Sequence, residues 1–253
     1  MPLKWWYAPA GIVAAYALSA VVVVALDRGA SLPDAAYTLA FQVCMAGVAL
    51  VFVRRPADLG LRPMGVSPRR ALLWIVAAWV IGEASVALYL AVSDPAPPEV
   101  WVEGASGGLL LALTAVIGAP VAEELFWRGL VFRSLCAKLP VPGAIVLSAV
   151  LFGFSHWVGG DPLSSVPPRI VYGVLLAWLY ARTGSLYPGI VLHAWLNSAL
   201  AAYVVPEIGA VASGAAMLGL AWALVASTGD PRSRAVRRRA AVRKPVRPAT
   251  RLP

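Results

Sequence analysis

Long apolar stretches alternate with short polar segments between residues 8 and 227. Windows of about 18 or more apolar residues, bounded by Pro, Gly or charged residues, predict about eight transmembrane helices. The predicted spans are residues 8–26, 34–53, 70–92, 107–127, 141–158, 169–183, 186–204 and 208–227. The expected fold class is therefore all-α, a polytopic transmembrane helical bundle. The pattern also allows the fourth span to run on as one long helix through Arg133.

Lysine and arginine are distributed unevenly across the loops between these spans. The basic residues of the alternate loops and the N-terminus are Lys4, Arg54, Arg55, Arg62, Arg69, Arg70, Arg133, Lys138 and Arg182. The intervening loops are mainly acidic, with only Arg28 and Arg169 as basic residues. Because short basic loops stay on the cytoplasmic side, the pattern predicts that both termini are cytoplasmic. An even number of spans agrees with this placement.

Composition supports an integral membrane protein, since 60% of the residues are apolar and only 13% are charged. The formal net charge is +9, but many basic residues lie after Gly229 or in the segment RRPADLGLRPMGVSPRR. We expect residues 1–229 to form a transmembrane domain and residues 230–253 a disordered basic cytoplasmic tail. Basic residues beside spans indicate orientation and contact with anionic lipid, so nucleic acid is not expected as a partner.

Two adjacent glutamates and an arginine interrupt the fourth apolar stretch in the segment EELFWR. An ionisable side chain at the centre of a span costs about 2.5–3.5 kcal/mol on insertion scales, so each one needs a partner or a task. Glu124 and Arg128 are four residues apart and are expected to pair on one helix face. Glu123 points about 100° away from Glu124 on an α-helix, which leaves it free to face the bundle interior. A buried ion network without chemistry is the alternative interpretation.

Both histidines of the chain lie in predicted spans, His156 in FGFSH and His193 in HAWLN. Asn197 follows His193 by four residues and shares its helix face. A glutamate can act as a general base, a histidine can position water or carry a proton, and an amide can donate to an oxyanion. These are the parts of a peptide-hydrolysing site that uses activated water. The HExxH motif is absent from the sequence, which disfavours the common zinc-protease helix, and we identify no plausible nucleophilic Ser or Cys for an acyl-enzyme.

The three polar segments match EExxxR, FxxxH and HxxxN in that order. In this the chain resembles the CPBP family of intramembrane endopeptidases, also called the CAAX protease and bacteriocin-processing or Abi family, over residues 107–204. The resemblance implies that Glu123 activates water, that His156 helps to position it, and that His193 and Asn197 stabilise the oxyanion. It assigns supporting roles to Glu124 and Arg128 and a packing role to Phe152.

The resemblance favours a metal-free glutamate mechanism with no cofactor. Glu123, His156 and His193 could also form a three-ligand zinc site with an open position. The expected substrate is a membrane-associated peptide or protein. The Ala, Val, Arg, Gly and Pro bias suggests a GC-rich bacterial genome, which points to the bacterial cytoplasmic membrane and makes prenylated CAAX substrates improbable.

Two other functions are compatible with intramembrane Glu and His residues. An ion-coupled or proton-coupled transporter uses such residues as relays, but it predicts internal repeats, and the sequence contains none that we detect. A non-catalytic membrane scaffold could retain the same motifs. Geometry discriminates these functions, because an enzyme requires Glu123, His156, His193 and Asn197 to converge on one cavity.

Overall fold

The computed structural model describes residues 3–27, 34–53, 55–93 and 113–204, and these ranges contain helices and no strand. A single turn of 3-10 helix occupies Leu163–Ser165. The other helices are α1 (Tyr7–Asp27), α2 (Asp34–Phe52), the short α3 (Pro56–Leu59), α4 (Pro68–Ser93), α5 (residues 114–135), α6 (Val141–Val158), α7 (Val166–Thr183) and α8 (Tyr187–Val204). The predicted span at 208–227 and the predicted tail at 230–253 lie outside the described residues.

Each of the first seven predicted spans overlaps one of the long helices. Three of these helices, α1, α4 and α6, are long and apolar enough to cross a membrane by length and composition. Helices are the expected solution, because the hydrocarbon core offers no water to satisfy backbone N–H and C=O groups. Large apolar side chains such as Val13, Val51 and Leu88 are correspondingly exposed on the outside of the bundle. The all-α membrane protein predicted from hydropathy is confirmed at this level.

Helix α5 is not α-helical over its whole length. Two π-helical stretches, Thr114–Gly118 and Glu124–Phe132, alternate with α-helical turns at Ala119–Glu123 and Arg133–Leu135. In π geometry each N–H bonds to the carbonyl five residues earlier instead of four, which changes the angular spacing of the side chains. Such stretches are rare and often occur at functional sites. The helix continues past the predicted end of span four, as the apolar pattern allowed.

Helix α1 packs against α5 through small side chains. Ala8, Gly11, Ala15 and Ser19 are buried on one face of α1. A Cβ atom at position 11 would lie 2.7 Å from Leu130 Cδ2, so glycine allows the two backbones to approach closely. Within a membrane, helix association depends on such close packing, because lipid is as apolar as the helices themselves. The α1 helix is thereby held against the helix that carries the two adjacent glutamates.

Helices α6 and α7 also approach closely, at Gly173. A Cβ atom at position 173 would lie 2.9 Å from the Cα atom of Ala149. On its other side, α7 shares an apolar cluster with α4 and α8. The buried residues of this cluster include Ile75, Leu176, Leu179 and Leu192. The α7 helix therefore lies between α6 and the α4–α8 pair.

A loop between α3 and α4 forms hydrogen bonds with the turn between α7 and α8. The backbone of Gly60 accepts a hydrogen bond from Leu186 N at 2.9 Å, and Gly65 N donates to Thr183 O at 2.8 Å. The Ser185 hydroxyl donates to Arg62 O at 2.7 Å. Arg62 Nε in turn donates to the Gly184 carbonyl at 2.8 Å. This 60–65 loop satisfies backbone groups of a turn that would otherwise lack partners.

Gly60→Ala is expected to destabilise the fold strongly. The backbone φ angle at position 60 is +106°, and an added Cβ atom would lie 2.6 Å from Tyr180 Cε2. Left-handed strain and overpacking together should cost about 2–5 kcal/mol of the free energy of unfolding. The measurement is the thermal unfolding midpoint of the full chain in lipid nanodiscs.

Gly160→Ala is the matched control for this substitution. Gly160 has the same φ angle of +106°, but no neighbour lies within 4 Å of its added Cβ atom. The control therefore carries backbone strain alone, which should cost about 1–3 kcal/mol. Equal losses in the two variants would show that the contact between the loop and Tyr180 adds nothing to stability.

Candidate active site

A buried ion pair lies at the centre of the bundle. Arg128 Nη1 donates to Glu124 Oε1 at 2.8 Å, and the two side chains are 2% and 0% exposed. This is the pairing that the sequence spacing predicted, although residues 124–132 are π-helical instead of α-helical. His193 Nδ1 lies 3.1 Å from the same Glu124 oxygen. One carboxylate oxygen of α5 is thus shared by a cation of its own helix and an imidazole of α8.

Residues of α6, α7 and α8 accommodate the ion pair. Arg128 Nη2 donates to the Gly173 carbonyl at 3.3 Å. The guanidinium carbon of Arg128 lies 4.6 Å from the ring centre of Phe152, which is cation–π geometry. A Cβ atom at position 189 would lie 2.9 Å from Glu124 Oε2, so Gly189 leaves the space that this carboxylate occupies. Three neighbouring helices are therefore shaped around one charged pair.

Glu123 approaches His193 from the opposite side of the imidazole ring. Its Oε2 atom is 3.7 Å from His193 Nε2, which is longer than a hydrogen bond. Glu123 Oε2 is buried and has no hydrogen-bond partner among the described residues. A buried carboxylate oxygen without a partner is unusual, and Glu124 Oε2 is a second one. The imidazole of His193 consequently lies between two carboxylates, with one ring nitrogen facing each.

The contacts of His193 define its protonation pattern. An ionised carboxylate only accepts hydrogen bonds, so Nδ1 carries the hydrogen that faces Glu124. Nε2 then carries a hydrogen only when the ring is an imidazolium. In that form the formal charges of Glu123, Glu124, Arg128 and His193 sum to zero.

His156 is joined to this cluster through Phe152. His156 Nδ1 lies 2.9 Å from the Phe152 carbonyl oxygen, which can only accept, so Nδ1 is the donor. In the neutral ring Nε2 is then unprotonated and can accept a hydrogen bond from water. The Phe152 ring centre lies 4.8 Å from that of His156 and 6.1 Å from that of His193. Phe152 therefore separates the two histidines as well as packing against Arg128.

Asn197 is bound to the backbone of α5. Its Nδ2 atom donates to the Ala115 carbonyl at 2.8 Å, within the π-helical turn Thr114–Gly118. The neighbouring carbonyl of Thr114 accepts a hydrogen bond from Gln42 Nε2 of α2 at 3.3 Å. Two amides from different helices thus hold consecutive carbonyls of this turn. Gln42 was not among the predicted site residues, although it is a lone glutamine in the apolar span 34–53.

The structure brings the predicted site residues together to different degrees. Glu123, Glu124, Arg128 and His193 form one directly contacting group. His156 reaches that group through the Phe152 ring, and Asn197 contacts α5 instead of the two carboxylates. Among the described residues, no group of three or more His, Cys, Asp or Glu side chains is arranged to hold a metal ion. The donor set suggested for zinc, Glu123, His156 and His193, does not form such a group.

Comparison with known proteins relates part of the chain to a family and to one named protein. Residues 105–199 match the family described as type II CAAX prenyl endopeptidase Rce1-like. A protein of Bacillus subtilis (strain 168) named "Putative membrane peptidase YdiL" is 29% identical over 90 residues, which are 36% of this chain. The chain covers 35% of the length of that relative. No solved structure matches the chain.

The class defined by the fold and the motifs is a helical integral membrane protein with a peptidase-type region. More particularly, residues 105–199 are similar to the Rce1-like type II CAAX prenyl endopeptidase family. The family resemblance predicted from the three motifs is confirmed.

Arg128→Met is expected to destabilise the protein severely. It leaves the Glu124 carboxylate buried without its cation, and breaking one side of a buried pair costs about 3–5 kcal/mol. The thermal unfolding midpoint in lipid nanodiscs measures this loss.

Arg169→Met is the control, because Arg169 pairs with Asp161 at 2.6 Å while the two side chains are 27% and 41% exposed. An exposed pair of this kind contributes about 0–1 kcal/mol, so the unfolding midpoint should change little. Similar losses in the two arginine variants would contradict the claim that burial of the Glu124–Arg128 pair sets its importance.

Proposed function

We propose that this chain is an intramembrane endopeptidase that hydrolyses a peptide bond of a membrane-associated peptide or protein by glutamate-activated water. The observation that carries the proposal is Glu123 Oε2, a buried carboxylate oxygen without a hydrogen-bond partner among the described residues, 3.7 Å from His193 Nε2. A water oxygen at hydrogen-bond distance from both atoms fits this separation. The match of residues 105–199 to a prenyl endopeptidase family supports peptide hydrolysis over the other functions considered.

In the proposed first step Glu123 acts as the general base. Its carboxylate takes a proton from water while the water oxygen forms a bond to the substrate carbonyl carbon. The carbonyl π electrons move to oxygen, which becomes the oxyanion of a tetrahedral intermediate. In the second step the C–N bond breaks, and the protonated Glu123 returns its proton to the leaving amine. The products are a carboxylic acid and an amine, which balances one peptide bond and one water.

We assign oxyanion stabilisation to His193 and Asn197. The imidazolium form of His193 directs its Nε2–H toward the space beside Glu123, while Nδ1–H is retained by Glu124. The Asn197 amide has two hydrogens, and its bond to Ala115 uses one of them. The second hydrogen remains as a donor for the oxyanion. A donor of this kind typically contributes about 10²–10³-fold to the rate.

His156 is proposed to orient the attacking water through Nε2. Its Nδ1–H is held by the Phe152 carbonyl, which fixes the tautomer in which Nε2 accepts. Glu124 and Arg128 support the site by fixing the ring plane of His193. They do not contact the reacting atoms in this proposal.

The mechanism that we favour uses no metal. We base this on the positions of Glu123, His156 and His193, which do not form a three-ligand set. In addition, a glutamate such as Glu123 can activate water as a general base without a metal ion. No step is assigned to a metal ion. The assay below includes a chelator because zinc-dependent cleavage would disprove this part of the proposal.

The substrate and location follow from the setting of the site. A site among membrane helices selects a peptide or protein that is itself at the membrane, and the bacterial relative suggests a bacterial cytoplasmic membrane. Anionic lipid is proposed as the partner of the basic segment 230–253.

Glu123→Gln is expected to lower kcat by about 10²–10⁴-fold, because it removes the general base without changing side-chain size. The measurement is cleavage of a quenched peptide library by the full chain in lipid, with and without a strong chelator. Cleavage by the wild type should survive chelation. Glu83→Gln is the control, as it removes another carboxyl within a predicted span, outside the proposed machinery, and should leave kcat unchanged.

The outcomes separate the parts of the proposal. Equal cleavage by wild type and Glu123→Gln would remove Glu123 from the mechanism. Loss of wild-type cleavage on chelation would establish a metal-dependent reaction. Binding of membrane proteins without any cleavage would favour the scaffold function.

A further inference from the structure

Helix α1 lies outside the region that matches the endopeptidase family, yet it contributes a side chain to the candidate site. We propose that Tyr16 of α1 is a positioning residue for His156. This inference rests on the proposed function, since it concerns the residue to which we assign the orientation of water. Tyr16 acts through a hydrogen bond to the backbone beside His156.

The hydroxyl of Tyr16 donates to the Ser155 carbonyl oxygen at 3.1 Å. Ser155 directly precedes His156, and the two residues joined by this bond, Tyr16 and Ser155, are 139 positions apart in sequence. The Tyr16 ring is held by an edge contact with Phe41 of α2, with the ring centres 5.4 Å apart. The Tyr16 side chain, which carries this hydroxyl, is therefore itself packed against α2.

The turn that receives this bond is the last turn of α6. The helix ends at Val158, two residues after His156, and Gly159 N donates to the same Ser155 carbonyl at 3.0 Å. The terminal turns of helices fray unless other groups hold them. Ser155 Oγ and His156 Nδ1 both donate to the Phe152 carbonyl, at 2.6 and 2.9 Å. These bonds lie within α6, so they fix the turn internally without fixing it against the Glu123 cluster.

Tyr16 supplies a tether from outside α6. The α1 helix is anchored on α5, where Gly11 packs against Leu130. One rigid element therefore contacts both the helix that carries Glu123 and the turn that carries His156. Removal of the hydroxyl should let the terminal turn of α6 move relative to Glu123. The consequence is a change in the His156 ring environment and a slower reaction.

The first test uses the fact that the chain has only two histidines. The full chain with isotope-labelled histidine in lipid nanodiscs should give two sets of imidazole NMR signals, assigned with His156→Gln and His193→Gln. Tyr16→Phe should shift the His156 signals and leave those of His193 in place. Unchanged His156 signals would overturn the inference, as would equal displacement of both histidines, which indicates general rearrangement.

Tyr180→Phe is the matched control for this test. Tyr180 also donates its hydroxyl to a backbone carbonyl of the N-terminal half, Leu59 O at 3.3 Å, in the region of the 60–65 loop. Loss of this hydroxyl should lower the unfolding midpoint by an amount similar to that for Tyr16→Phe, and the imidazole NMR signals of both histidines should stay in place. Displaced His156 signals in this control would also overturn the inference, since any weakening of the fold would then suffice.

The second test measures the reaction. A net hydrogen bond contributes a factor of about 3–10 in rate, so Tyr16→Phe should lower kcat by that factor with KM unchanged. Tyr180→Phe should keep the wild-type kcat. Full kcat in Tyr16→Phe would overturn the role in the reaction. If the wild type cleaves no peptide, the proposed function fails, while the NMR comparison still decides whether Tyr16 positions His156.

Discussion

The ion pair between Glu124 and Arg128 constrains the rest of the bundle. Two charges without access to water must be satisfied by protein groups, because neither lipid nor a distant loop can supply a partner. The partners come from three helices: His193 from α8, the Gly173 carbonyl from α7 and the Phe152 ring from α6. Each helix must approach α5 to within side-chain reach. The glycines at 173 and 189 have their explanation here, since larger side chains would keep α7 and α8 away from α6 and α5.

The same pair also connects stability with chemistry. Glu124 fixes the hydrogen on Nδ1 of His193, and this contact directs Nε2 toward Glu123. A histidine without that contact could rotate or exchange its tautomer. The adjacent glutamates therefore differ by environment: Glu124 Oε1 is bound by Arg128 and His193, whereas Glu123 Oε2 only approaches His193, at 3.7 Å. Two identical side chains one residue apart are thereby suited to different tasks.

Hydropathy predicted the helices well because a helix that crosses a membrane needs apolar residues along its whole length. The predicted range 141–158 coincides with Val141–Val158, where a flanking proline and glycine mark the ends. The Glu124–Arg128 pairing was predictable because charges in a span require a local partner. The π-helical turns of α5 were not, because the apolar pattern does not distinguish α from π geometry over a few residues. The contacts of Gln42 and Tyr16 were not predicted because their partners are backbone carbonyls, and residue types do not show which carbonyl a side chain reaches.

The helices before residue 105 are part of the site's construction. The π turn Thr114–Gly118 is held by Gln42 from the N-terminal half as well as by Asn197 from α8. Without the α2 amide, one buried carbonyl at this turn would lose its side-chain donor, which is costly where no water can replace it. Gly118 is matched to this contact, because the Gln42 amide oxygen occupies the space where a Cβ atom would lie. The motifs at 123–197 supply the reactive groups. Helices α1 and α2 and the 60–65 loop supply hydrogen bonds to the backbone of the later helices, and these bonds hold the reactive groups in position.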